Sequence, residues 1–225
     1  MNTPSVPPVV PPLLRAIKAS EPFETAVEKL CADASGATGV TGDTGAGDLF
    51  WSPQNQRSKL AIVLEPDVPT SRALEMVPLV MVALGDCLGV LVPPQVAVQF
   101  RSPLQIVVNA GVAGHIKAAI APTANDDEVP KWLVLAVDVG LTRAADAPDP
   151  GLQPDITTLD EEGCENLDHI KFIETFARHF LSWLAIWHDD GFSQIARAWK
   201  FKAEDESDPD MKKIRAQVVV GKAVK

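Results

Sequence analysis

A glycine-rich loop is the stretch of this sequence best suited to holding a bound group. It contains four glycines, Gly39, Gly42, Gly45 and Gly47. It closes on Phe50-Trp51-Ser52-Pro53, and an apolar strand is predicted directly after it, at residues 60–65. Because glycine has no side chain, such a loop can bring its backbone close to a ligand.

The order of these pieces resembles the adenylate-binding loop of the biotin and lipoate protein ligase family. In that family the loop reads Gly-Arg-Gly-x-x-Gly-Arg, followed by an aromatic pair and Ser-Pro. Gly42 and Gly47 keep two of the glycine places, and the run from Phe50 to Pro53 keeps the end. The family's arginine places fall on Asp43, Gly45 and Asp48, so two of them carry the opposite charge.

The resemblance also implies two lysine places, and both are empty here. The family's Lys-Trp-Pro-Asn-Asp motif falls on Gln99, Phe100, Arg101, Ser102 and Pro103, so that only aromatic character at Phe100 is kept. A second family lysine falls on Gly111, just before the matching step Val112-Ala113-Gly114. Adenylate formation places a carboxylate beside a triphosphate, and cations normally stabilise the charge that develops.

Two basic residues are candidates to replace the missing cations. Arg101 lies at the end of a predicted core strand, and Lys117 follows Gly114 closely. Lys117 alternates with apolar neighbours, so its place in the strand fits either a pocket wall or an ordinary surface charge. His115, in what would be the ligand strand, has the same two interpretations.

From the resemblance we expect a pocket lined by the loop and two strands, with no metal: Gly42, Gly47, Trp51, Ser52, Gln99, Phe100, Arg101, Ser102, Gly114 and His115. Biotin, lipoate or ATP would be ligands only if ligase-like binding is retained. A small carboxylic acid and a carrier protein are the partners that the resemblance implies.

A thiol nucleophile and a metal centre are both disfavoured. Related octanoyltransferases use a catalytic cysteine, but Cys164 has acidic neighbours that would raise its pKa. Cys31 falls on the apolar face of a predicted helix. His188-Asp189-Asp190 is typical of a helix end followed by a turn.

Composition narrows the class of protein. Lys and Arg number 20 against 30 for Asp and Glu, giving a formal net charge of −10, which disfavours nucleic acid and anionic membranes as partners. Three cysteines without paired spacing favour a reducing compartment, so we predict a cytoplasmic location. Residues 76–100 are apolar but interrupted by Pro and Gly, which indicates a buried helix and strand instead of a membrane span.

The predicted elements alternate helices and strands. We expect a Pro-rich arm over 1–19, a helix capped by Ser20, a second helix from Thr70 or Ser71 to Gly89 with a kink at Pro78, and four strands between 96 and 139. A capping box at 158–161 and a helix from Asp168 to Gly191 make the C-terminal third helical. A short helix at 192–199, a charged linker and a strand at 216–220 complete the chain.

These elements predict an α+β fold like the ligase core, a mixed or antiparallel sheet packed with helices, over residues 20–200, with a linker and short strand at 201–225. Three functions stay open at this point. They are an inactive ligase-like protein that retains at most a small-molecule pocket, an active ligase or acyltransferase with rearranged cations, and a non-catalytic interaction module. The sequence carries no signal for an oligomeric state.

Overall fold

A mixed β-sheet organises the computed structural model, which describes residues 6–35, 44–144, 147–148, 150–165 and 167–221. Its strands within these ranges are β1 (Arg15–Lys18), β2 (Asp48–Trp51), β3 (Arg57–Leu64), β4 (Val98–Arg101), β5 (Gln105–Val108), β6 (Gly111–Ile120), β7 (Leu133–Gly140) and β8 (Val219–Val220). They lie in the order β1-β2-β3-β7-β6-β5-β4, and β8 pairs with the end of β6, at Ala119 and Ile120, on the edge that β5 also uses. The neighbours are antiparallel except β1 with β2 and β8 with β6.

Helices cover the two faces of the sheet unequally. The helices are α1 (Pro22–Ser35), α2 (Thr70–Ala73), α3 (Met76–Leu91), α4 (His169–Asp190), α5 (Phe192–Lys202) and α6 (Met211–Gln217), with a 3-10 turn at Pro150–Leu152. The large core lies between the sheet and α3, α4 and α5. A smaller core lies under α1, where Ala26, Leu30 and Cys31 pack on the alanines and valines of β3, β6 and β7. The predicted α+β class is confirmed.

The apolar run that could pass for a membrane span is a core helix. The stretch Thr70–Leu91 is long and apolar enough to cross a bilayer, but 72% of its apolar window is buried inside the protein. The helix is broken between α2 and α3, so Pro78 falls in the first turn of α3, where proline costs no hydrogen bond. The predicted stop at Gly89 was wrong, since α3 continues to Leu91.

The N-terminal segment is part of the fold. Arg15–Lys18 forms β1, and the Val9 N–H donates to Glu174 Oε1 at 2.7 Å, which ties the preceding residues to α4. Leu14 is buried in the large core. The sheet therefore begins within the stretch predicted as an arm.

The C-terminal third differs from its prediction at two places, after the capping box and in the charged linker. The capping box forms its contacts, with the Thr158 N–H donating to Glu161 Oε2 at 3.1 Å, but no helix follows it. Asp168 caps α4 by accepting from the Ile170 and Lys171 N–H groups, and Gly191 ends it at a φ of 77°, as expected. The predicted charged linker contains the start of α6, which leaves only two residues for β8.

Candidate ligand-binding site

A row of polar side chains crosses four neighbouring strands. Lys59 pairs with Asp138, Asp138 with His115, and His115 with Gln105, each at a directly opposite register position. Opposite residues point to the same face of a sheet. The four side chains therefore form one line across the sheet.

This row belongs to the face that α1 partly covers. Ala61 lies two residues after Lys59, and Ala136 lies two residues before Asp138. Both alanines pack beneath α1. Side chains in a strand return to the same face every second residue, so Lys59 and Asp138 share that face. The polar row thus begins where the cover of α1 ends.

A cavity of about 410 Å³ opens beside the row. It lies between the first turn of α1, the start of β5, the middle of β6 and the C-terminal segment. Its lining residues are Phe23, Ser102, Pro103, Leu104, Gln105, His115, Ile116, Lys117, Ala118, Gln217 and Val219. Of the sequence-predicted residues, it brings together Ser102, His115 and Lys117.

The cations of this face are each paired with an acid. Arg57 Nε lies 2.7 Å from Asp138 Oδ1, Lys59 Nζ lies 2.8 Å from Glu21 Oε2, and Lys117 Nζ lies 3.2 Å from Glu24 Oε1. Glu21 directly precedes α1 and Glu24 lies in its first turn, and both are about half exposed. Surface pairs of this kind contribute little stability, so a ligand anion can replace a glutamate at low cost.

His115 is a neutral side chain in this site at neutral pH. Burial lowers the pKa of His115 below its ordinary value, and Asp138, whose Oδ2 is 4.0 Å from Nε2, opposes that shift only in part. His115 therefore supplies a hydrogen-bonding ring and no fixed positive charge.

Ser102 presents a polar atom that the protein does not satisfy. Its Oγ is buried and has no hydrogen-bond partner among the described residues, and the residue lines the cavity. A buried hydroxyl without a partner costs about 1–3 kcal/mol, so a ligand acceptor at this position would be favourable.

The middle of β6 lines the same cavity. The Ile116 N–H donates to Leu104 O and the Gly221 N–H donates to Ile120 O, so the even-numbered residues of β6 direct their polar backbone atoms to this edge. Ala118 lies between these two contacts, and it lines the cavity.

The end of the glycine loop packs against the N-terminal segment. Gly42 and Asp43 lie outside the described residues. Gly47 has a φ of 87°, and a Cβ there would lie 2.4 Å from Leu13 O, so only glycine fits against the N-terminal segment.

Asp48, at one of the family's arginine places, is neutralised internally. It is 3% exposed, and its carboxylate accepts from Arg15 Nε at 2.8 Å and Nη2 at 3.0 Å. The Gly45 N–H also donates to Asp48 Oδ2 at 3.1 Å. The expectation that the loop presents a bare anion at this position is corrected, because β1 supplies the compensating cation.

Trp51 and Ser52 have structural roles in the core and in contacts with α4. Trp51 is buried in the large core, with its ring centroid 6.4 Å from that of His169. The Ser52 carbonyl accepts from His169 Nε2 at 2.8 Å, and Ser52 Oγ accepts from the Gln54 N–H at 3.3 Å. Both predicted ligand-binding side chains therefore lie beneath the sheet surface, away from the cavity.

Side chains of β4, where the family's lysine motif falls, also make contacts within the fold. Phe100 is 1% exposed and packs on Trp199 with centroids 5.1 Å apart. Gln99 lies beside it on β4, opposite Val107, and outside the cavity lining. Arg101 donates from Nε to Glu204 Oε2 at 2.6 Å and from Nη2 to Glu204 Oε1 at 3.0 Å, and this contact raises the pKa of Arg101. The side chains of Phe100 and Arg101 therefore hold other parts of the chain, and a ligand pocket at these positions stays a prediction.

Gly111 and Gly114 are glycines for packing reasons. A Cβ at Gly114 would lie 2.6 Å from Asp138 O on the neighbouring strand. At Gly111, the second empty lysine place, a Cβ would lie 2.8 Å from Thr157 Cγ2. Gly114 thus permits close strand pairing, and no side chain fits at Gly111 without movement of Thr157.

Sequence reasoning missed most of the polar row and Arg15. Lys59, Arg57, Asp138 and Gln105 lie at alternating strand positions next to apolar residues. That alternation was a visible signal, but the register that aligns four strands is set by long-range pairing.

Among the described residues no three His, Cys, Asp or Glu side chains are grouped to hold a metal ion. Burial, ahead of its acidic neighbours, raises the pKa of Cys164.

The sequence matches a known protein family and one of its characterised enzymes. The model of the biotin/lipoate A/B protein ligase family matches residues 10–201. A biotin–[acetyl-CoA-carboxylase] ligase of Paracoccus denitrificans is 27% identical over 153 residues, which span 66% of this chain and 61% of that enzyme. The chain thus matches less than two thirds of that relative's length.

Solved structures agree with the family match. A biotin protein ligase-like protein of unknown function from a Silicibacter species has a TM-score of 0.74 at 29% identity, covering 88% of this chain and 81% of that one. The apo biotin protein ligase of Aquifex aeolicus has a TM-score of 0.63 at 10% identity, covering 84% and 77%, and shares the fold. The chain belongs to the biotin/lipoate A/B protein ligase family.

Proposed function

We propose that this chain binds a small carboxylic acid in the cavity beside the polar row and lacks the adenylate-forming chemistry of a ligase. The observation that carries the proposal is a cavity lined by both Ser102, whose buried Oγ has no partner among the described residues and would have to rotate toward a ligand, and Lys117, whose partner Glu24 is about half exposed. A carboxylate would accept from the Ser102 hydroxyl and from Lys117 Nζ, replacing Glu24 as the partner of the ammonium group.

The cavity also suits the apolar part of such a ligand. Phe23 supplies apolar wall, and Lys117 Nζ lies 5.6 Å from the centre of the Phe23 ring. A cationic head beside apolar surface favours a short acid with a hydrocarbon or thioether body.

The loss of ligase chemistry is supported by where the remaining cations are bound. Adenylate formation develops negative charge on the carboxylate and the α-phosphate, and removal of one well-placed donor costs about 10²–10³ in rate. Arg101 is occupied by Glu204, Arg15 by Asp48, and Gly111 leaves no room for a lysine. A ligase that relied on Arg101 or Arg15 would need to break one of these ion pairs.

A thermal-shift series tests the binding proposal. The melting temperature is measured without ligand and with octanoate, lipoate, biotin or ATP. The proteins are the wild type, Ser102→Ala, Lys117→Gln and the exposed control Lys131→Gln. We expect an acid at about 100 times its Kd to stabilise the wild type and Lys131→Gln by about 2.7 kcal/mol, a shift of about 5–10 °C, and to act much less on the two site variants. Equal shifts in all four proteins would place the ligand elsewhere.

A pyrophosphate-exchange assay tests the catalytic part. We expect no exchange with ATP and either biotin or lipoate. An exchange signal that Arg101→Ala abolishes would support the active ligase instead. If no acid, nucleotide or vitamin shifts the melting point, the interaction module becomes the better account. Carrier-protein recognition and a cytoplasmic location stay predictions.

A further inference from the structure

The C-terminal segment, residues 204–221, is a strap that forms the outer wall of the cavity. It begins three residues beyond the family match, which ends at residue 201. Gln217 from α6 and Val219 from β8 lie in the cavity lining. The family core alone would leave this side of the cavity open.

One end of the strap is held by charge. Glu204 takes the bidentate contact from Arg101, and the Glu204 N–H donates to Phe100 O at 3.0 Å. In the middle, Ile214 is fully buried and Arg215 forms an ion pair with Asp126.

The other end is held by close packing. The Gly221 N–H donates to Ile120 O at 2.9 Å. A Cβ at Gly221 would lie 2.3 Å from Trp132 Cη2 and 3.2 Å from Cys31 Sγ, so the backbone there lies directly on these two side chains.

The weakly attached part of the strap is β8, which lies between the ion pair of Arg215 and the close packing at Gly221. β8 pairs with β6 over only two residues, Val219 and Val220, whose exposed fractions are 53% and 52%. Segments with few buried contacts and short pairing open locally at low free energy, long before the whole protein unfolds. Release of β8 would uncover both the cavity and the side chains beneath Gly221.

We propose that this strap opens to admit the ligand and closes over it, with Arg101 as a positioning residue that anchors its first end. The inference rests on the proposed cavity for the identity of what enters. The opening itself can be measured without any ligand, so its failure is distinguishable from failure of the binding proposal.

Proline substitutions give a matched pair of variants. Because alternate residues of a strand direct their N–H groups to the same side, the Val219 N–H points to β6 like that of Gly221, and the Val220 N–H points away. Val219→Pro removes a donor of the β6 pairing, whereas Val220→Pro keeps it. Val218 has a φ of −77° and a ψ of 126°, a conformation that a following proline accepts.

Cys31 is a native reporter of strap opening. It is buried beneath Gly221, while Cys87 and Cys164 are buried elsewhere and serve as internal controls. Labelling with N-ethylmaleimide, followed peptide by peptide by mass spectrometry, gives each rate. We expect Val219→Pro to speed Cys31 labelling about tenfold, the effect of losing one hydrogen bond. Val220→Pro should stay within about twofold of the wild type, and Cys87 should not change.

Two results would overturn the proposal. One is Cys31 labelling at the wild-type rate in Val219→Pro. The other is an equal acceleration at Cys87, which would mean that the whole core opens and not the strap. In the same variants, octanoate association followed by stopped-flow tryptophan fluorescence should be faster in Val219→Pro than in Val220→Pro, and equal association rates would contradict gating.

Discussion

The ion pair between Arg15 and Asp48 gives the sharpest test of how the glycine loop is neutralised. The Asp48 side chain is 4% exposed, whereas that of Arg15 is 50% exposed. Arg15→Ala would leave a buried carboxylate with the Gly45 N–H as its remaining described partner. Hydrogen bonds to charged groups contribute about 1.5–3 kcal/mol, and breaking a fully buried pair costs about 3–5 kcal/mol.

The exposure of Arg15 lowers the expected cost. Water already reaches the guanidinium, so we expect Arg15→Ala to destabilise the protein by about 2 kcal/mol. In a protein of 225 residues that corresponds to a fall of about 4–8 °C in the melting temperature. As a control, Lys213→Ala removes an exposed pair with Asp210 on α6 and should cost under about 1 kcal/mol.

A double-mutant cycle isolates the contact from the other interactions of Arg15. Arg15→Ala, Asp48→Asn and the double variant are unfolded in urea, and we expect a coupling energy of about 1–2 kcal/mol. A coupling near zero, or a shift no larger than that of Lys213→Ala, would refute the reasoning. Arg15 would then be available to a ligand anion, and the case against adenylate chemistry would weaken.

Two further predictions follow from buried positions. Gly111→Lys restores the family residue but drives a side chain into Thr157, so we expect a loss of about 1–3 kcal/mol in urea unfolding and still no pyrophosphate exchange; exchange above background would contradict this. Burial lowers the pKa of His169 below its ordinary 6.5, so the unfolded chain binds the proton more readily. Stability should be steady above pH 6.5 and fall below it, by at most about 1.4 kcal/mol per pH unit from this group. His169→Gln should flatten that slope in urea titrations, and an unchanged slope would exclude His169 as its source.

Local signals predicted the elements whose ends are set by local chemistry. α4 begins after Asp168 and ends at Gly191, as their side chain and backbone conformation require. Runs of apolar residues located β3, β6 and β7. The predicted end of α3 at Gly89 was wrong because the helical hydrogen bonding continues past it, with the Val92 N–H donating to Leu88 O. β1 is too short to show a period, and only its pairing with β2 makes it a strand, whereas β8 lies within the strand predicted at 216–220.

The site was harder to predict than the fold for a physical reason. Motif positions such as Phe100 and Trp51 can be located in the sequence, but which side of the sheet they face depends on packing that the motif does not carry. Phe100 packs on Trp199, about a hundred residues later, and Trp51 lies beside His169. The polar row likewise depends on four strands pairing in one register.

The position of Arg101 links the absent chemistry to the added strap. At the lysine motif of the family, a cation is useful to catalysis only if it is free to meet an anion that appears in the transition state. Arg101 instead meets a permanent anion, Glu204, through two hydrogen bonds, and that anion belongs to the segment beyond the family match. A ligand phosphate that captured Arg101 would have to displace Glu204 and loosen the strap. Phosphate binding and cavity closure therefore compete for one guanidinium, and this competition favours a closed cavity for a small acid over a site for a nucleotide.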